Sequence, residues 1–209
     1  MRYIYLHGFA SGPGSRKAQY FLGRMMESGL TLEVPQLDEG NFGGLTISGQ
    51  LEVVERLAGG EPVSLMGSSM GGYVAALYAA RHPEVTRLVL MAPAFCFARR
   101  WRTWLGDAQM SEWQRAGRLR VFHYGHKEER EVGYQLIEDA QRYEEFPAFA
   151  QPALVFHGER DDVVPVDYSR EFCTAHANAR LHIMASDHEL GDVMAEIAVL
   201  SIPFLLENE

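Results

Sequence analysis

Two cysteines in 209 residues, Cys96 and Cys173, are too few for a disulfide framework. Nothing in the chain therefore calls for an oxidising compartment. Positive charge is scarce too: 19 Lys and Arg stand against 28 Asp and Glu, a net charge of −9. A phosphate backbone asks for the opposite balance, which argues against a nucleic-acid partner and leaves the acidity to serve solubility. Long apolar runs are missing as well. No segment reaches the roughly 18 residues of a membrane span, and the apolar run in MRYIYLHGF is too short for a signal-peptide core. The expectation is a cytoplasmic chain with no membrane partner. Internal repeats and low-complexity stretches are also lacking.

What remains is a globular mixture, 47% hydrophobic and 22% charged, long enough for one substantial core. Short apolar runs alternate with helical patterns. Strands are predicted at Tyr3–Leu6, Leu30–Val34, Val63–Met66, Leu88–Met91, Ala153–Phe156 and Leu181–Met184. Helices are predicted at Leu45–Ala58, Met70–Arg81, Val166–Ala177 and Leu190–Leu206. The strands are apolar throughout, as strands covered on both faces are, so the pattern predicts a mostly parallel sheet of about six strands with helices on both faces. One block breaks the rhythm. Between Pro93 and Pro152 lie all three tryptophans and a charged, helix-like run, HKEEREVGYQLIEDAQRY. That is far more chain than a crossover needs. The expected organisation is a single domain over 1–209 with an inserted lid at about 94–151.

The stretch SLMGSSMGGYVAALYAA sets two serines on the seam between a strand and a helix. A strand that turns sharply into a helix exposes one residue at the sheet's carboxyl edge, beside the positive end of the helix dipole. Strand and helix then pass so closely that the residues two before and two after must be small. Around Ser69 these are Gly67 and Gly71; around Ser68 they are Met66 and Met70, which would collide. Ser69 is the candidate nucleophile. A glycine-rich turn cradling phosphate is the competing reading, but neither dinucleotide nor P-loop glycine spacing aligns here.

A serine hydroxyl needs a base oriented by a carboxylate. ALVFHGERDDVVPVDYS supplies a strand followed by Asp161 and Asp162, and LHIMASDHELGD a strand followed by His188. His176 and His182 also follow the acids, but fall within a predicted helix and strand. Either aspartate satisfies the spacing; both could equally be turn-formers.

The blocks YLHGFASGPGSRKA, VPQLD and GSSMGGYVAALYA resemble the small YqiA-type esterase group of the α/β-hydrolase superfamily. The resemblance implies the α/β-hydrolase fold, Ser69 as nucleophile, His188 as general base and Asp161, the first aspartate of the H-G-x-x-D-x-V-V-P pattern, as the acid. Asp162 is the fallback. It also implies an oxyanion hole formed by the backbone N–H groups of Met70 and Phe9, with Ala10 second to Phe9, and Gly8 permitting close approach. His7 and His157, each before a glycine at a strand end, read as structural hydrogen-bonders.

His123 and His126 near Glu128 lack the helical spacing of a zinc motif, and no metal or cofactor is expected. Phe95, Phe97, Trp101, Trp104 and Trp113 either line an apolar acyl pocket or form an ordinary lid core. The expected activity is hydrolysis of small-molecule carboxylic esters by a serine esterase, with thioester or amide hydrolysis open to the same machinery. The alternative from another class is a non-catalytic binding module, which would be expected to have lost one of the three residues.

Overall fold

Side-chain alternation along the strands explains how the chain layers itself. In the computed structural model, which describes residues 1–207, strand β1 (Arg2–Leu6) sends Ile4 and Leu6 into one core and Tyr3 and Tyr5 into another. Five more strands share the sheet: β2 (Leu32–Glu33), β3 (Val63–Ser68), β4 (Val85–Met91), β7 (Ala153–Gly158) and β8 (Ala179–Met184). Their order is β2-β1-β3-β4-β7-β8, and every pairing is parallel.

Helices cover both faces. On the Ile4 side lie α2 (Ile47–Ala58), α3 (Met70–Ala79) and α6 (Val166–Ala175), burying Val53, Val54, Val74 and Phe172. On the Tyr5 side lie α1 (Arg16–Glu27) and α7 (Met194–Leu206), burying Phe21, Met25, Ile197 and Ile202. Helix α1 was not anticipated. Ser15 caps it by accepting from the Ala18 N–H at 3.4 Å, and Ala18, Phe21 and Met25 form its buried stripe. The central strands run further than expected: β3 reaches Ser68 and β7 reaches Gly158, which brings both ends to the same rim.

The segment between β4 and β7 forms helix α4 (Phe97–Ala116), a hairpin of β5 (Arg118–His123) and β6 (Glu128–Gly133), and helix α5 (Gln135–Ala140). Helix α4 bends at Gly106, whose φ of 75° and ψ of 162° lie outside the helical region. The helix expected across HKEEREVGYQLIEDAQRY is corrected: its first half is strand. Arg118 sits opposite Gly133 and His123 opposite Glu128 in an antiparallel register. Cross-strand pairing satisfies the backbone, and ion pairs such as Arg118–Glu131 (3.0 Å) lace the exposed side. Among the described residues no helix is long and apolar enough to cross a membrane.

Candidate active site

The turn from β3 into α3 is set by backbone contact. A side-chain carbon at Gly67 would lie 2.4 Å from the Gly71 carbonyl oxygen, and one at Gly71 would lie 2.1 Å from that of Leu6. Nothing larger than glycine fits. Ser69, between them, has φ 54° and ψ −119°, a conformation that side-chain-bearing residues rarely adopt. Its N–H donates to the Met91 carbonyl at 2.9 Å, and its own carbonyl accepts from Tyr73 (3.1 Å) and Ala94 (3.0 Å). Three neighbours thus hold the strained turn. Ser68 is only 3% exposed, whereas Ser69 is partly open.

Parallel register brings the other loops to this rim. Leu6 sits opposite Gly67, Ser68 opposite Met91, Met91 opposite Phe156, and Gly158 opposite Met184. The loops after β7 and β8 are then tied together: Glu159 N–H donates to Met184 O at 2.8 Å and Arg160 N–H to Ser186 O at 3.0 Å. A side-chain carbon at Gly158 would come 2.2 Å from the Asp187 carbonyl oxygen, so the loop carrying His188 crosses directly over the end of β7. Gly158 is the glycine of the H-G-x-x-D-x-V-V-P pattern, and this close crossing is what requires it there.

His188 bridges the two sides. Its Nδ1 lies 2.7 Å from Asp161 Oδ2 and its Nε2 lies 3.0 Å from Ser69 Oγ. Beside a carboxylate Nδ1 carries the hydrogen, which leaves Nε2 to accept from the serine hydroxyl. Asp161 turns its other oxygen, Oδ1, to the N–H groups of Val163 (2.9 Å) and Val164 (2.7 Å). Burial opposes its charge, but His157, His188 and the Val164 N–H outweigh burial and hold the carboxyl well below the ordinary carboxylate range. Of the two aspartates, Asp161 faces His188, while Asp162 is exposed.

The loop after β1 lies against Ser69. A side-chain carbon at Gly8 would meet Ser69 Cβ at 3.4 Å. His7 braces this loop, donating from Nδ1 to Gly8 O (3.0 Å) and accepting at Nε2 from Leu37 N–H (3.4 Å). Burial lowers its pKa and keeps it neutral in that role. Ala10 takes a positive φ of 50°, and its carbonyl accepts from Tyr124 N–H at 2.8 Å, so the β5–β6 turn grips the same loop. His123 and His126 belong to that grip, with the His126 N–H donating to His123 Nδ1 at 3.2 Å.

The aromatic residues divide. Phe95 stacks on Phe172 with centroids 4.4 Å apart, and Trp113 donates to Val132 O at 3.1 Å; both are core. Trp101 lies edge-on to Phe9 at 5.3 Å, beside the loop that faces Ser69. Trp104 is 61% exposed. Burial raises the Cys96 and Cys173 thiols to about 11, so neither is a thiolate at neutral pH. Lys17 sets its ammonium 3.6 Å from Glu189, the residue after His188.

A six-stranded parallel sheet with a strained serine turn at its carboxyl rim defines the α/β-hydrolase fold. Solved structures bear out the fold. The chain is similar to Est1E from Butyrivibrio proteoclasticus with ferulic acid bound (20% identity, TM-score 0.81, covering 98% of this chain and 87% of that one). It is similar to the mouse alpha/beta hydrolase domain-containing protein 10 (18%, 0.81, 98% and 88%). A third match is to a structure reported for LipS and LipT, metagenome-derived lipolytic enzymes (18%, 0.74, 99% and 93%). No curated protein matches in sequence. The chain belongs to the uncharacterised protein family UPF0227, which matches residues 2–203.

Proposed function

We propose that the protein is a serine hydrolase that cleaves carboxylic esters through an acyl-enzyme. The observation that carries this reading is the unbroken line from Ser69 Oγ to His188 Nε2 (3.0 Å) and from His188 Nδ1 to Asp161 (2.7 Å). Ser69 attacks the ester carbonyl while His188 takes its proton, and the ionised Asp161 stabilises the imidazolium. His188 returns the proton to the departing alcohol, and the acyl group stays on Ser69. Water, deprotonated by His188, then releases the acid.

The oxygen that gains charge in both steps needs N–H donors. Met70, at the start of α3, and Phe9, on the loop packed against Ser69, are assigned that role. Neither N–H is spent on a protein hydrogen bond among the described residues. The segment at about 94–151 is assigned the role of lid, with Trp101 beside Phe9 at its inner edge. Carboxylic esters of modest size suit so compact a scaffold, and Est1E, of the same fold, has a carboxylic acid bound. Thioesters and amides are chemically open to the same residues.

A panel of p-nitrophenyl esters of rising acyl length, together with a fluorophosphonate probe located by mass spectrometry, tests the reading. Hydrolysis that disappears in Ser69→Ala, with label on Ser69 alone, is expected. Unchanged hydrolysis in that variant, or label on Ser68, contradicts it. A protein that binds an ester without turning it over would be the non-catalytic module.

A further inference from the structure

Asp161 has a second imidazole behind it. His157, on β7, is fully buried, and its Nε2 lies 2.9 Å from Val164 O and 3.0 Å from Asp161 Oδ2. Both neighbours are acceptors, so that nitrogen must carry the hydrogen. The far nitrogen, Nδ1, lies 2.8 Å from Ser169 Oγ on α6, whose hydroxyl can donate to it. The ring is therefore fixed at both ends, with one N–H shared between the acid's carboxylate and the carbonyl of the loop that carries it.

On the serine-hydrolase reading above, we infer that His157 is a positioning residue for the reaction: its Nε2–H holds Asp161 Oδ2 from behind while His188 uses the same oxygen from the front. Two consequences follow from donor counting. With the Val163 and Val164 amides on Oδ1, the carboxylate has four N–H groups around it and no freedom to rotate. The shared donor also draws negative charge away from Oδ2, so it tempers how strongly Asp161 favours the imidazolium form of His188. Other charges felt by this carboxylate come from Arg100 on α4, which donates to Val163 O, and from Lys17 on α1; Asp162 acts on that arginine, and Asp187 and Glu189 on that lysine. None of them occupies the position behind Oδ2.

The test pairs two polar substitutions. His157→Gln places an amide N–H where Nε2 stood, whereas His157→Asn keeps an amide near Ser169 but falls short of Asp161. For His157→Asn, kcat on a p-nitrophenyl ester is expected to fall about tenfold to a hundredfold with KM little changed. The acidic limb of its kcat/KM profile is expected to move to higher pH, because Asp161 then holds the His188 proton more tightly. His157→Gln is expected to recover most of the rate and the original limb. A merely structural histidine would lower the amount of active enzyme and leave the limb where it was. Wild-type spectra remove the dependence on variants: phosphonylation of Ser69, which takes away the hydroxyl proton that His188 accepts, is expected to shift the His157 Nε2 proton resonance. A normal limb in both variants, or an unmoved resonance, overturns the inference while fluorophosphonate still labels Ser69. Wild-type protein that takes no label at Ser69 sinks the serine-hydrolase reading, and this inference with it.

Discussion

The turn at 67–72 and the hairpin at 118–133 sit at the same rim but are built to different tolerances. The turn is fixed by backbone atoms: at Gly71 even a methyl group would lie 2.1 Å from a carbonyl oxygen. The hairpin is fixed by its ladder, by the Trp113 contact beneath it and by the Tyr124 grip on Ala10; its outer face is a set of exposed ion pairs. Chemistry that needs a serine placed to within a fraction of an ångström belongs on the first kind of structure. A surface held by side chains, as the hairpin's is, tolerates exchange of those side chains.

That difference can be broken experimentally. Gly71→Ala makes the largest demand, since Leu6 O and His7 O, both at the end of the central strand β1, lie within 2.5 Å of the new methyl group. Loss of about 4 kcal/mol or more is expected, read as absence of folded protein or a collapsed urea midpoint. Asp161→Asn comes next. It should cost about three to four orders of magnitude in kcat, while Asp162→Asn, at an exposed position, changes kcat less than about twofold. The same pair sharpens the acid response. Because Asp161 is held below its ordinary range, its ionised form stabilises the fold above about pH 4, and that contribution is lost as pH falls. The stability gap between wild type and Asp161→Asn should therefore narrow on acidification, as thermal melts from pH 7 down to 3 would record.

Within the hairpin region, Trp113→Ala should destabilise by about 3 to 5 kcal/mol, because the ring is buried and its N–H holds Val132. Arg118→Ala is the smallest case. Its pair with Glu131 is exposed on both sides, and a change within about 0.5 kcal/mol is expected in denaturant melts. A large effect there would erase the contrast between the two regions.

The same contrast explains what the sequence could announce. Ser69 was legible because steric exclusion by neighbouring backbone demands glycine at fixed spacing, and only one of two adjacent serines satisfies it. The sheet was legible because strands covered on both faces are apolar throughout. Asp161 was separable from Asp162 only by resemblance, since which oxygen turns inward depends on the Val163 and Val164 amides of a folded loop. The hairpin was misread because HKEEREVG carries charge at positions that suit a helix surface as well as a solvated strand. Its partner, Arg118–His123, lies beyond any local window. Helix α1 did carry a local signal, Ser15 as N-cap and Ala18, Phe21 and Met25 at helical spacing, set among the charged residues Arg16, Lys17 and Arg24. His157 was visible as a residue, but the fold alone reveals that its ring backs the acid.

In the proposed mechanism Ser69 and His188 act as one unit. The most direct test is kcat/KM for a p-nitrophenyl ester measured in Ser69→Ala, His188→Ala and the double variant, each checked for folding. Either single change is expected to cost about as much as both together, on the order of a millionfold, as in a serine-protease triad. Losses that multiply in the double variant, or a single variant that retains wild-type turnover, would contradict it.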